Sequence, residues 1–339
     1  MTQARAGPPG AAVHKLHIVA VGASVGGVEA LTRLASRLPG DFPGVILVVL
    51  HVGAYPSMLP SLLSEAGPLP AVHASDGQPL EPGRIYIAPP DHHLLVDGEY
   101  ARLSRGPKEH HTRPAADTLF RSVALACGPR VVGVMLTGQL DDGTAGLQAI
   151  KACGGLSIVQ DPREAPAPSM PLSALEYVDV DHCLPIDAIA AMMVTLAHEP
   201  APAAAPPPPR ELEREHELTT TGQIAMDEIE EIGQPSKLSC PDCGGVLWSI
   251  KDSQPPRYRC HTGHGFTQRS LGNAMDDTVD AAREGRAAAR QRRRLPRRRS
   301  RRRRRDAGSP GRQLRTARRD AARTGRSGGR AAGVLGGCH

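Results

Sequence analysis

Apolar residues in this chain gather into short unbroken runs, and most of the longer runs lead into a stretch of helical period. The runs 18–22 (I-V-A-V-G), 45–50 (V-I-L-V-V-L) and 131–136 (V-V-G-V-M-L) are continuous rather than alternating, the pattern of strands covered on both faces. After the first of them, Val28, Leu31, Leu34, Ala35 and Leu38 recur on one helical face, and Pro39-Gly40 stops that helix. Residues 58–66, 115–127, about 143–153 and 186–197 predict further helices. Shorter segments at 71–74, 84–88, 93–96, 100–103, 156–159 and 178–180 predict strands, with Asp97-Gly98 as a hairpin turn. Strands alternating with helices predict an α/β fold over residues 16–198: a doubly wound, mostly parallel sheet flanked by helices.

The pattern then changes. Residues 199–209 (E-P-A-P-A-A-A-P-P-P-P) predict a semi-rigid linker, and 210–235 a charged helical segment. Residues 236–282 predict a small C-terminal zinc-ribbon-like module followed by a helix from Leu271 to about Ala289. Residues 1–15 and 283–339 lack an apolar period and predict a disordered N-terminus and a disordered basic tail.

Charge sharpens this division. Of the 41 Lys and Arg residues, 21 lie between Arg283 and Arg330, against three acidic residues in the same span, so the folded part is acidic despite the formal net charge of +6. The Arg-rich tail admits three readings: a nucleic-acid-binding arm, a solvated tail, or out-of-frame translation of a GC-rich gene. The abrupt break of the helical pattern near Arg283 and the near absence of Lys favour the last. No secretory leader and no apolar run of membrane-spanning length is present, and seven scattered cysteines do not form a disulfide framework, so the expected location is the cytoplasm.

The chemistry gathers at predicted strand ends. The first strand runs into Gly22-Ala23-Ser24-Val25-Gly26-Gly27, a small-residue turn that suits either a phosphate cradle or an exposed serine nucleophile. A dinucleotide site wants an acid at the end of the second strand, but His51 stands there. A nucleophile instead needs a base to take its proton and a carboxylate to orient that base. Ser24, His51 and the Asp141-Asp142 pair sit at three strand ends and supply those groups. Each also has a plain structural reading, as a helix cap or a polar edge residue. His92, His93, His110 and His111 lack the accompanying ligands of a metal site and read as surface or substrate-cleft residues.

Cys240-Pro-Asp-Cys243 and Cys260-His-Thr-Gly-His264 flank a strand-like span at a spacing that suits structural zinc. The expected ligands are Cys240, Cys243, Cys260 and His264, with His261 as the substitute fourth ligand and a free redox pair as the alternative.

Five ordered blocks, G-A-S-V-G-G at 22–27, L-H-V at 50–52, P-G-R-I-Y-I-A-P-P-D-H-H at 82–93, R-P-A-A-D-T-L-F-R-S-V-A at 113–124 and L-T-G-Q-L-D-D-G-T-A-G at 136–146, together with M-P at 170–171, resemble the CheB-type protein-glutamate methylesterase catalytic domain. The resemblance implies Ser24 as nucleophile, His51 as general base and Asp142 as orienting acid, with no catalytic cofactor. It implies a methylated chemoreceptor cytoplasmic region as partner and glutamate methyl ester as substrate, releasing methanol. Some relatives also deamidate glutamine. Backbone N–H groups near Val25 and Gln139 are the expected oxyanion donors. The chain departs from the family in having Val25 where Thr is frequent and Gln139-Leu140 where Met-Gly is usual. No receiver domain precedes Ser24, so phosphorylation control within the chain is not expected. The competing class is a noncatalytic α/β binding module targeted by the ribbon and the basic tail.

Overall fold

The computed structural model describes residues 17–52, 55–200, 206–221 and 226–294. The expected disorder of residues 1–15 and all readings of the Arg-rich tail beyond residue 294 lie outside the described residues.

The first apolar run forms β1 (Ile18–Ala23) and turns into α1 (Gly27–Ser36), followed by β2 (Val45–Leu50) and α2 (Leu59–Ala66). Two short strands, β3 (Ala71–His73) and β4 (Arg84–Ile87), precede the predicted hairpin, β5 (His93–Asp97) and β6 (Tyr100–Ser104), whose antiparallel register closes at Asp97 and Tyr100. Then come α3 (Ala116–Cys127), β7 (Val131–Met135), α4 (Thr144–Ala152), β8 (Leu156–Gln160), α5 (Ser169–Tyr177), β9 (His182–Leu184) and α6 (Ile186–His198). Seven strands join in the order β3-β4-β2-β1-β7-β8-β9, every pair parallel.

Alternate residues of β1 and β2 enter opposite cores, which is why the sequence shows no alternation. Ala20, Val45, Leu47 and Val49 face a layer containing Leu119, Phe120, Leu147 and Ile150 from α3 and α4. Val19, Val21, Ile46 and Val48 face Leu31 and Leu34 of α1, Leu63 of α2 and Met193 of α6.

One predicted strand is corrected. Residues 178–180 are not extended into the sheet; Val178 donates its N–H to Ala174 at the end of α5, and the edge strand begins at His182. The Val-Asp-Val alternation imitated a strand. Pro171 obscured α5, yet it lies in the first turn, where a missing N–H is tolerated.

The charged segment forms α7 (Arg210–Thr221) and α8 (Met226–Ile232). A four-stranded antiparallel sheet follows: β10 (Gly233–Ser239), β11 (Val246–Ile250), β12 (Arg257–Cys260) and β13 (Gly265–Thr267). The last helix, α9 (Gln268–Arg294), starts three residues earlier than expected and runs past the expected end near Ala289 into the Arg-rich stretch expected to be unfolded. The described residues up to Ala288 cluster as one compact unit. The ribbon-like sheet is seated on the α/β part through buried charge. Glu109 is paired with Arg121 of α3 and lies 3.2 Å from Arg259 of β12. Glu215 of α7 lies 3.1 Å from Arg259 and 2.8 Å from Arg257.

Candidate active site and cysteine cluster

Parallel pairing sets Ala23 opposite Leu50, so the next residues, Ser24 and His51, leave the sheet side by side. Neighbouring strands are about 4.8 Å apart, and the His51 N–H reaches the Ala23 carbonyl at 3.3 Å. Beyond the end of β7, the loop from Leu136 brings Asp142 to the same rim. His51 Nε2 lies 2.6 Å from Asp142 Oδ2. Ser24 is half-buried, and its Oγ makes no hydrogen bond to His51 or to another described residue. Two of the three expected partners are therefore in contact, and Ser24 follows the adjacent strand end without a side-chain hydrogen bond to either among the described residues.

The two acidic residues separate in role. Asp142 is buried; its Oδ2 also accepts from Ala116 N–H at 2.6 Å and its Oδ1 from Asp117 N–H at 3.0 Å. Burial opposes its charge, but the nearby His110, the His51 hydrogen bond and the Asp117 N–H outweigh burial and hold the carboxyl well below the usual carboxylate range. Asp141 turns away from His51 and accepts from Thr267 Oγ1 at 2.7 Å. Burial pushes its carboxyl up.

The turn after β1 is fastened by Thr137, which follows β7 and which sequence reasoning missed. Ser24 N–H donates to Thr137 O at 3.0 Å. Thr137 Oγ1 donates to Val25 O at 2.9 Å and accepts from Ala167 N–H at 2.9 Å, while Gln160 Oε1 accepts Thr137 N–H at 2.8 Å. A strand-end Thr beside Gly138 was the available signal. Gly138 is required by space, because a Cβ there would lie 1.9 Å from Met170 Sδ and 2.9 Å from Ser24 Cβ. Leu140 takes a left-handed φ of 62°. The expected oxyanion residues Val25 and Gln139 lie on these two turns, and neither backbone N–H donates to an acceptor among the described residues.

The histidine expectation is corrected for two of the four residues. His93 is fully buried, and burial pushes its imidazole down to about 4 while Nε2 contacts Pro107 O at 2.9 Å. The His110 side chain is only 5% exposed and lies 2.7 Å from Asp117 Oδ2. His111 is exposed and pairs with Asp242 at 2.6 Å. Glu109, His110 and Asp117 also converge closely enough to ligate an ion. Glu109 is already matched by two arginines, so the group fits an ion-paired cluster instead.

In the C-terminal module, two tight turns bring Cys240, Cys243, Cys260 and His264 together, with all four donor atoms within 4.8 Å of one another. Gly244 at φ 74° and Gly263 at φ 88° make those turns. Tetrahedral zinc, with bonds of about 2.3 Å to sulfur and about 2.0–2.1 Å to nitrogen, requires S–S gaps of about 3.8 Å and S–N gaps of about 3.6 Å. The Cys243–Cys260 gap is 3.7 Å and the His264 Nδ1 gaps are 3.5 Å to Cys260 and 3.7 Å to Cys240. The donor set fits the metal. His261 is exposed and stands outside the cluster.

The family model for CheB methylesterase matches residues 19–193. A Myxococcus xanthus protein named protein-glutamate methylesterase/protein-glutamine glutaminase 4 is 44% identical over 156 residues, covering 45% of this chain and 44% of the relative. An Anaeromyxobacter dehalogenans protein of the same name is 35% identical over 188 residues, covering 54% and 53%. The chain thus spans about half the length of these curated relatives. The crystal structure of the Thermotoga maritima CheB methylesterase catalytic domain matches with a TM-score of 0.52 at 32% identity, over 53% of this chain and 98% of that one.

Proposed function

The chain belongs to the CheB methylesterase family, and on that premise we propose that it is a serine esterase acting on glutamate methyl esters of chemoreceptors. The carrying observation is the 2.6 Å contact between His51 Nε2 and Asp142 Oδ2 on the strand end next to Ser24. With Nε2–H committed to Asp142, Nδ1 is the ring nitrogen left to accept the Ser24 proton.

In this reading Ser24 Oγ attacks the ester carbonyl while His51 takes its proton. The resulting oxyanion is met by the Val25 and Gln139 N–H groups, each donor of this kind contributing about 10²–10³-fold. Asp142 fixes the imidazole and stabilises its charged form. His51 then protonates departing methanol, and water repeats the cycle on the acyl-enzyme to release glutamate. An amide substrate follows the same path with ammonia as the leaving group, which makes receptor glutamine the second candidate substrate.

Zinc held by Cys240, Cys243, Cys260 and His264 has a structural role here, since four protein ligands close the coordination sphere. No helix among the described residues is long and apolar enough to cross a membrane; the cytoplasm is the location proposed with a receptor cytoplasmic region as substrate. The deciding assay is methanol release from a methylated chemoreceptor cytoplasmic fragment. The intact chain turns over and Ser24→Ala loses at least ~10⁴-fold with an unchanged circular dichroism spectrum. Equal turnover in the variant removes serine catalysis, and no turnover by the intact chain leaves the binding-module reading in its place.

A further inference from the structure

We infer that the C-terminal module is a working part of the hydrolytic centre: Ser270 and Thr267, at the start of α9, hold His110 and Asp141 on either side of Asp142, and His110 is a positioning residue that sets how strongly Asp142 pulls on His51. This rests on the assignment of Asp142 as the orienting acid.

The first element is a fixed helix start. Thr267 caps α9: its Oγ1 accepts from Ser270 N–H at 3.1 Å, and Ser270 Oγ reciprocally accepts from Thr267 N–H at 2.9 Å. This is the reciprocal geometry of a capping box, with serine in the place of the usual longer side chain. Both residues are buried, and each has a further partner across the chain. Thr267 Oγ1 donates to Asp141 Oδ1 at 2.7 Å, and His110 Nδ1 lies 3.0 Å from Ser270 Oγ. The backbone adds a third tie, from His110 N–H to Gly265 O at 2.8 Å.

The second element is where His110 points. Its Nε2 lies 2.7 Å from Asp117 Oδ2 and 3.5 Å from Asp142 Oδ1. Asp117 comes from α3, Asp141 and Asp142 from the loop before α4, and Glu109 from the loop of His110 itself. Glu109 is neutralised by Arg121 and Arg259, and α9 contributes only hydroxyls. Burial disfavours the imidazolium, but Asp142, Asp117 and Asp141 outweigh it and raise His110 to about 9. Its Nδ1–H then has a ready acceptor in Ser270 Oγ.

The third element is competition for one carboxylate. Asp142 faces two imidazoles, His51 on Oδ2 and His110 on the side of Oδ1. A charged His110 offsets part of the negative charge that would otherwise hold a proton on His51. Loosening Ser270 weakens the support of His110 and returns that charge to His51.

The test uses the metal-loaded full chain, with two readouts. One is the pH dependence of kcat/KM for methanol release from a methylated receptor cytoplasmic fragment, whose acid limb reports the base. The other is imidazole NMR of histidine-labelled protein, with His110 assigned by its loss in His110→Gln. In the wild type His110 is expected to stay charged past neutrality and titrate near 9. His110→Gln is expected to move the acid limb up by about half to one pH unit. Ser270→Ala should move it less in the same direction and lower the His110 titration, and Ser270→Thr, which keeps the hydroxyl, should restore both. Overlapping profiles for wild type and His110→Gln, or an ordinary imidazole titration at His110, overturn the inference. Should Ser270→Ala unfold the module, His110→Gln decides alone. An inactive wild type with the NMR behaviour intact sinks the esterase reading but upholds the link between α9 and His110.

Discussion

Thr137 Oγ1 donates to the Val25 carbonyl at 2.9 Å, tying the turn that carries Ser24 to the loop that carries Asp142. Its side chain is buried, so Thr137→Val keeps the volume but leaves Val25 O and Ala167 N–H without this partner. A lost hydrogen bond with buried partners left unsatisfied costs about 1–3 kcal/mol. The expected outcome is a fall of about tenfold or more in kcat with a smaller change in KM. Steady-state methanol release checks it, and an unchanged kcat would separate the two turns functionally.

Leu140 sits at φ 62°, a conformation that costs an L-residue roughly 1–2 kcal/mol. Glycine removes that strain but gives back about 0.5–1 kcal/mol in the unfolded chain. Leu140→Gly should therefore be neutral or slightly stabilising, whereas Leu140→Val, β-branched at positive φ, should destabilise by more than about 1 kcal/mol. Urea unfolding of the two variants tests the pair.

The buried charges between α3, α7 and β12 are the principal stability liability. Arg259 touches both Glu109 and Glu215, and its side chain is 4% exposed. Arg259→Met strands two carboxylates, and breaking such a cluster from one side costs about 3–5 kcal/mol. Calorimetry should show a large drop in Tm together with earlier proteolysis within residues 233–270.

Stability should be bounded on both sides of neutrality. Burial opposes the charge on Glu215, but Arg257, Arg259 and Arg121 prevail and lower it from 4.5 to about 2. A depressed carboxyl contributes stability that is complete above its ordinary value and lost as pH falls toward about 2. His110 behaves oppositely: raised from 6.5 to about 9, it contributes fully below 6.5 and ceases to contribute as pH climbs through about 9. Urea midpoints should hold from about pH 5 to 6.5 and decline above it. The alkaline decline should flatten in His110→Gln.

Zinc should bind at one ion per chain and be lost in Cys260→Ser. Metal binding by small modules supplies on the order of 10 kcal/mol of folding energy. Cys260 directly follows Arg259, so chelation should loosen the buried charge cluster as well as the cysteine turns. Metal analysis with protease mapping before and after chelation checks both parts.

The sheet was legible because its strands are buried on both faces and declare themselves as unbroken apolar runs. Ser24, His51 and Asp142 were legible because each follows such a run or its loop. His110 was not, since its partners Asp117, Asp142 and Ser270 lie seven, 32 and 160 positions away and no local pattern joins them. Charge hid the seating of the C-terminal module in the same way. Arg257, Arg259, Glu215 and Glu109 look like solvated surface residues until the fold buries them against one another. The extra turns of α9 escaped notice because Arg and Ala form helices readily without an apolar stripe.

The pairing of Ala23 with Leu50 has an evolutionary consequence. Residues 37–44, which connect α1 to β2, can lengthen or shorten without moving hydroxyl and imidazole apart, because the spacing is written in the peptide ladder and not in the connection. A single residue inserted inside β2 would do the reverse, carrying the imidazole off its mark while leaving every loop intact. Tolerance and fragility thus lie a few positions apart in the same polypeptide.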